Sequence, residues 1–207
     1  MPTGPNPGDK PSFITEARRA QMIEAAIVTL DEIGFANASL AQIAKRAGVS
    51  TALLSYHFQD KNDLMDHTLM TLLHEMVTYV GARVEAAETA REKLHAYIAS
   101  HLAYQGTRPK HNAALIEIIF HARTPDNVPY YKLEDDGEED PMAAMLKGIL
   151  AEGQASGDFG PFLVPVMASA IQGAIGEQLA GTSITSGLDL ETYSAEVIRL
   201  FDKALAP

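Results

Sequence analysis

Ile23, Ala26, Ile27, Leu30 and Ile33 recur at steps of three and four residues. That spacing gathers side chains on one flank of an α-helix, and it is repeated along almost the whole chain. No run of alternating apolar and polar residues between turn signals marks a β-strand. Such a chain buries its apolar surface by packing helix against helix, so the expected fold class is all-α. About nine helices follow from the pattern. They are 13–33, a short pair on either side of Gly48, a long helix from residue 61, then 91–105, 112–123, 142–155, 162–180 and 190–205.

Capping chemistry sets the boundaries. Ser39, Ser50, Asp60, Asp140 and Asp189 each precede a helical run, where a side-chain oxygen accepts from a free first-turn N–H. Asp63 follows Asp60 by three residues, near the positive helix end. Pro141 suits a first helical position, and Gly34 stops the first helix. TPDNVP (124–129) and GTSITSG (181–187) read as loops. EDDGEED (134–140) reads as a solvated loop, without the alternating carboxylates of an EF-hand. The Pro- and Gly-rich residues 1–12 read as a flexible tail without the apolar block of a signal peptide.

The stretch AQIAKRAGVSTALLSYHFQDKNDL, residues 41–64, carries the chemistry. Leu40, Ile43, Ala44 and Ala47 form the apolar face of one short helix; Val49, Leu53, Leu54 and Phe58 form that of the next. Gly48 supplies the turn, because glycine tolerates positive φ. Two short helices joined this way and braced by a longer one make a helix-turn-helix, whose second helix enters the DNA major groove. Its open side would present Thr51, Ala52, Ser55, Tyr56 and His57, groups able to reach base edges and phosphates. Lys61, in the first turn of the next helix, suits a phosphate contact, and the capping residues Ser39 and Ser50 lie at the same edge. Second readings stay open. Tyr56 could be a packing ring, His57 a lock between helices, and Arg18, Arg19, Lys45 and Arg46 a solvated face.

The net charge of −11 is unevenly spread. Residues 1–65 hold six Lys/Arg against seven Asp/Glu, and the remainder holds ten against twenty. The acidity therefore belongs to the C-terminal part, and the N-terminal part retains a local basic face.

The ordered set Ile43-Ala44, Ala47-Gly48-Val49-Ser50, Leu54, Tyr56-His57-Phe58, Lys61 and Leu64 resembles the tetracycline-repressor (TetR) family of bacterial transcription regulators, across roughly residues 18–72. Ala52 stands where that family often has glycine, and Ser55 where it often has tyrosine, the aromatic having moved to Tyr56. The shift is similar to the branch of the choline/betaine-responsive repressor, and it bears on base contacts rather than on role. The resemblance implies a homodimeric, ligand-responsive DNA-binding regulator of the bacterial cytoplasm, a repressor released from a palindromic operator by an unknown small molecule. It implies a helix-turn-helix DNA-binding domain over 13–60 and a helical ligand-binding and dimerisation domain over 61–207.

The remainder carries no catalytic constellation. The chain has no cysteine, which excludes disulfides and thiolate metal sites and fits a cytoplasmic protein. Its seven histidines form no H-x-x-x-H pair, so no metal or other cofactor is expected. Gly173 and Gly176 lack the preceding strand of a phosphate loop. No apolar run reaches the roughly 18 residues of a membrane helix. Candidate ligand-lining residues are His101, Tyr104, Glu117, His121 and Gln172, each of which is otherwise a satisfied core or surface residue. Ile171, Ile175, Val197, Ile198 and Phe201 lie on apolar faces that would pair two copies or complete the core of one. Two other classes remain: a helical small-molecule- or protein-binding module without DNA function, and an enzyme with a helix-turn-helix-like fragment.

Overall fold

The computed structural model describes residues 13–132, 140–180 and 184–207. The N-terminal tail, residues 134–139 of the acidic run and residues 181–183 lie outside the described residues. Among the described residues there are nine α-helices, one 3-10 turn (Tyr130–Lys132) and no strand. The helices are α1 (Phe13–Asn37), α2 (Leu40–Arg46), α3 (Thr51–His57), α4 (Lys61–Glu85), α5 (Ala90–Thr107), α6 (Pro109–His121), α7 (Pro141–Ser156), α8 (Val164–Ala180) and α9 (Leu190–Ala204).

The caps explain most of these limits. The side chains of Ser39, Ser50, Asp140 and Asp189 accept from first-turn N–H groups. α5 starts behind a capping box that the periodicity alone does not reveal, Thr89 with Glu92. α6 begins at Pro109, ahead of the expected residue 112, because proline loses no hydrogen bond in a first turn. Gly34 interrupts α1 with φ 73° and ψ 167°, and the chain then makes one further turn to Asn37.

The chain divides into two compact units. The first comprises residues 1–70 with 113–133, and the second 71–112 with 134–207. The boundary expected at residue 60 thus lies ten residues later inside α4, and the first unit takes in most of α6. In the first unit Met22, Ile27 and Leu30 of α1 are buried together with Ile43, Leu54, Phe58, Leu64 and Ile118. Leu53, expected inside, is 36% exposed; one helical step of about 100° separates it from the buried Leu54.

In the second unit α5 is central and packs on α7, α8 and α9. Arg91 and His95, near its start, bond Asp202 near the end of α9, and Leu190, at the start of α9, lies against Gly106. α5 and α9 are therefore antiparallel. Gly160, just before α8, donates to the Leu205 carbonyl, while Ala174 farther along accepts from the Tyr193 hydroxyl. α8 is thus also antiparallel to α9, and α5 and α8 run parallel. Tyr97, Ile98, Leu102, Leu146, Leu150 and Ile171 are sealed in this core, where each aliphatic side chain contributes about 1.5–3 kcal/mol.

This core corrects the pairing face. Ile171, Ile175, Val197 and Phe201 are buried within their own chain and Ile198 is half-buried against the same cluster. Among the described residues, the large apolar side chains that α8, its lead-in and α9 leave open are instead Leu163, Val166 and Leu200. α8 is apolar on more than one flank and Leu200 lies at the edge of the apolar face of α9, so periodicity alone does not separate the residues that face inward.

Candidate nucleic-acid interface

α2, the turn and α3 are fastened by α1. Ser39 and Gln42 close a capping box at the start of α2. At its end the Gly48 N–H donates to Lys45 and the Val49 N–H to Ala44, with Gly48 at φ 67°. No atom lies near a Cβ built at Gly48, so backbone conformation rather than space calls for glycine there. Gln21 of α1 donates to the Ala47 carbonyl at 2.7 Å. Arg46 donates to the Thr29 hydroxyl and pairs with Glu32.

α3 starts at Ser50, whose hydroxyl accepts from the Leu53 N–H. Leu54 and Phe58 point inward, while Thr51, Ala52, Ser55 and Tyr56 share the open face. Tyr56 is 78% exposed, so it is no packing ring within this chain. His57 is half-buried, its ring edge-on to Tyr56. Burial, and then the charge of Arg19, pull its pKa down, so the ring is neutral at pH 7.

The charged candidates separate by what they touch. Arg19 is engaged within the chain. Its guanidinium donates to the His57 carbonyl at 2.7 Å and lies 4.5 Å from the Phe58 ring centroid. It thereby closes the C-terminal end of α3, where positive charge is favoured. Arg18 is exposed and bonds Gln21, and Lys45 is exposed on α2. Lys61 donates to the Phe35 carbonyl at 2.5 Å, with its ammonium 4.1 Å from the Phe35 ring centroid, and burial lowers its pKa. One of its three N–H donors is thus used within the chain.

The candidate ligand residues also separate. His101 and Tyr104 are buried on α5, and Gln172 is half-buried on α8, all in the second unit. Glu117 and His121 belong to the first unit and have other work. The Glu117 carboxylate accepts the Phe35 N–H at 2.6 Å and lies against Gly34, and His121 is exposed 3.4 Å from that carboxylate. The Gln21–Ala47 and Phe35–Glu117 bonds join residues 26 and 82 positions apart, and no local pattern marks them in the sequence. Among the described residues no group of three or more His, Asp or Glu is placed to hold a metal. No helix there is long and apolar enough to cross a membrane.

A regulator named "HTH-type transcriptional regulator BetI" from Paraburkholderia phytofirmans is 38% identical over 93 residues, which is 44% of this chain and 48% of the relative. One of that name from Cronobacter sakazakii is 40% identical over 67 residues, 32% of this chain and 33% of the relative. The chain thus spans half or less of the length of these curated relatives. Over nearly its full length it is similar in fold to FadR of Bacillus subtilis, solved with stearoyl-CoA. The TM-score is 0.76 at 22% identity, covering 90% of this chain and 98% of that one. FadR of Bacillus halodurans gives 0.75 at 19% identity, covering 96% of each. Residues 22–68, which hold the core of α1, the braced α2 and α3 and the start of α4, match the description "Bacterial regulatory proteins, tetR family", so this segment is similar to the N-terminal domain of that family.

Proposed function

We propose that the protein is a ligand-responsive DNA-binding transcriptional regulator, a repressor released from its operator by a small molecule. The observation that carries the reading is the open face of α3. Thr51, Ala52, Ser55 and Tyr56 project from a seven-residue helix fixed at its start by Ser50 and at its end by Arg19. Such a helix can enter the major groove as a rigid body. Ser39, Ser50, Arg18, Lys45 and the two remaining donors of Lys61 are the proposed phosphate contacts; His57 is a neutral contact beside Tyr56. The regulator names of the relatives and the acyl-CoA seen in a protein of similar fold support a small-molecule effector.

The proposed assembly is a homodimer on a palindromic operator in the bacterial cytoplasm. Two recognition helices must then lie about one DNA turn apart. An effector that binds better to a different spacing weakens the operator complex, by no more than its preference between the two states. The first unit acts on DNA, and the second takes effector and partner copy.

The test is fluorescence anisotropy of the full chain on labelled duplex from upstream of its own gene, over a salt series. Specific binding is expected, with Lys45→Ala and Lys61→Ala each flattening the slope of log K against log salt by about 0.9 per half-site. Equal affinity for specific and random duplex at low salt would refute the regulator reading.

A further inference from the structure

Along one face of α5, Tyr97, His101 and Gln105 follow one another at four-residue spacing, all of them buried. The Tyr97 hydroxyl donates to the Met142 carbonyl and lies beside the Gln172 side chain of α8. The rest of the row is unsatisfied. His101 Nδ1, Gln105 Nε2, Gln105 Oε1 and Gln178 Oε1 are buried without a hydrogen-bond partner. His101 and Gln105 are only 6% and 7% exposed. Because α5 and α8 run parallel, moving on from the Tyr97–Gln172 contact by eight residues along one helix and six along the other reaches Gln105 and Gln178. The corresponding rises are about 12 Å and about 9 Å, so both amides fall at the same end of the helix pair.

Resting on the regulator reading, we propose that the effector is an uncharged molecule with an amide-like polar group, a donor N–H or O–H beside a carbonyl acceptor, bound between α5 and α8 by His101, Gln105 and Gln178. The chemistry of the four atoms selects this class. Gln105 Nε2 needs an acceptor, both amide oxygens need donors, and His101 Nδ1 serves either way according to tautomer. A carboxylate offers only acceptors and would face two carbonyl oxygens. A primary ammonium offers only donors and leaves Gln105 Nε2 unmatched, and a quaternary ammonium offers no donor at all. An amide satisfies both kinds. The site also lacks a ready counter-charge for an anion. Burial pushes the His101 pKa down to about 4, and among the described residues the charge whose field reaches both Tyr97 and His101 is the carboxylate of Asp140. Ile98, Leu102, Ile171 and Ile175, buried on the same two helices, suit an apolar body. Polar groups left unmatched in a core are costly, and a ligand that matches them recovers that cost as affinity and selectivity.

The full chain is to be titrated with octanamide, octanoate and octylammonium, followed by thermal unfolding and calorimetry. Octanamide is expected to raise the midpoint by several degrees through mass action, with no comparable shift from the two ions. Gln105→Leu is expected to unfold at or above the wild-type temperature without ligand, since it removes two orphaned groups, and to bind octanamide on the order of tenfold more weakly. Gln178→Leu serves as the independent second variant. Equal shifts from all three compounds, a shift from an ion alone, no shift at all, or a ligand-free Gln105→Leu chain that melts below wild type would each overturn the proposal. Operator affinity measured on the same samples keeps the two readings apart. Loss of the octanamide effect with DNA binding intact condemns the site alone, and octanamide binding by a chain that ignores DNA condemns the regulator.

Discussion

Arg19 shows what one residue can conceal. In the chain it is the second of two adjacent arginines before an apolar stripe, which fits a solvated face or a phosphate contact equally well. Folded, it caps α3 from 38 residues away. Tyr56 was the opposite case, since its place on the open flank of a short helix is set by local periodicity, and it is exposed. His101 could be named as a polar residue on an apolar helix, but its unmatched nitrogen depends on α8, which the chain reaches some seventy residues later. This residue gives a pH prediction. Its folded pKa is depressed to about 4 from an ordinary 6.5, so the unfolded chain takes up the proton first as pH falls. The stability linked to neutral His101 is complete above pH 6.5 and is lost toward pH 4, about 2–3 kcal/mol between pH 7 and 4.5. Urea unfolding at those two pH values should show His101→Leu losing less stability than wild type by that amount; parallel losses would count against it.

At the scale of elements, the helices were legible because caps and breakers act locally. Ser39, Ser50, Asp140 and Asp189 marked true starts. Misplaced limits had local causes too, in the Thr89–Glu92 box and in Pro109, three residues ahead of the expected start at 112. The mistaken pairing face had a different cause. Ile171 and Val197 lie on stripes that periodicity detects, yet which stripe is covered depends on the packing of α5 between α8 and α9. The break in α1 carries its own prediction. Gly34 adopts a φ/ψ pair open almost only to glycine, and a Cβ there would approach the Glu117 carboxylate to 3.2 Å. Gly34→Ala should cost about 2 kcal/mol, read as a lower urea midpoint at unchanged m-value. An unshifted midpoint would mean that the turn relaxes freely.

For the whole molecule, α4 and α6 are the helices whose residues are shared between the two units, and in the proposed regulator they are the expected route of communication. If dimerisation uses the open flanks of α8 and α9, Leu200→Glu places a charge in an apolar contact. Light scattering should then report the mass of one chain, with operator affinity reduced at least tenfold because one half-site is lost; a Leu200→Glu protein that stays dimeric would move the interface elsewhere. The Phe35 peptide unit bears on the same communication. Its N–H is held by a carboxylate on α6 and its carbonyl by an ammonium on α4. A charge-assisted bond of 2.6 Å shifts an amide proton far downfield and shields it from exchange with solvent. One resonance, set apart from the crowded helical amides, would therefore serve as a built-in spectroscopic gauge, moving when an added compound in the second unit disturbs either helix.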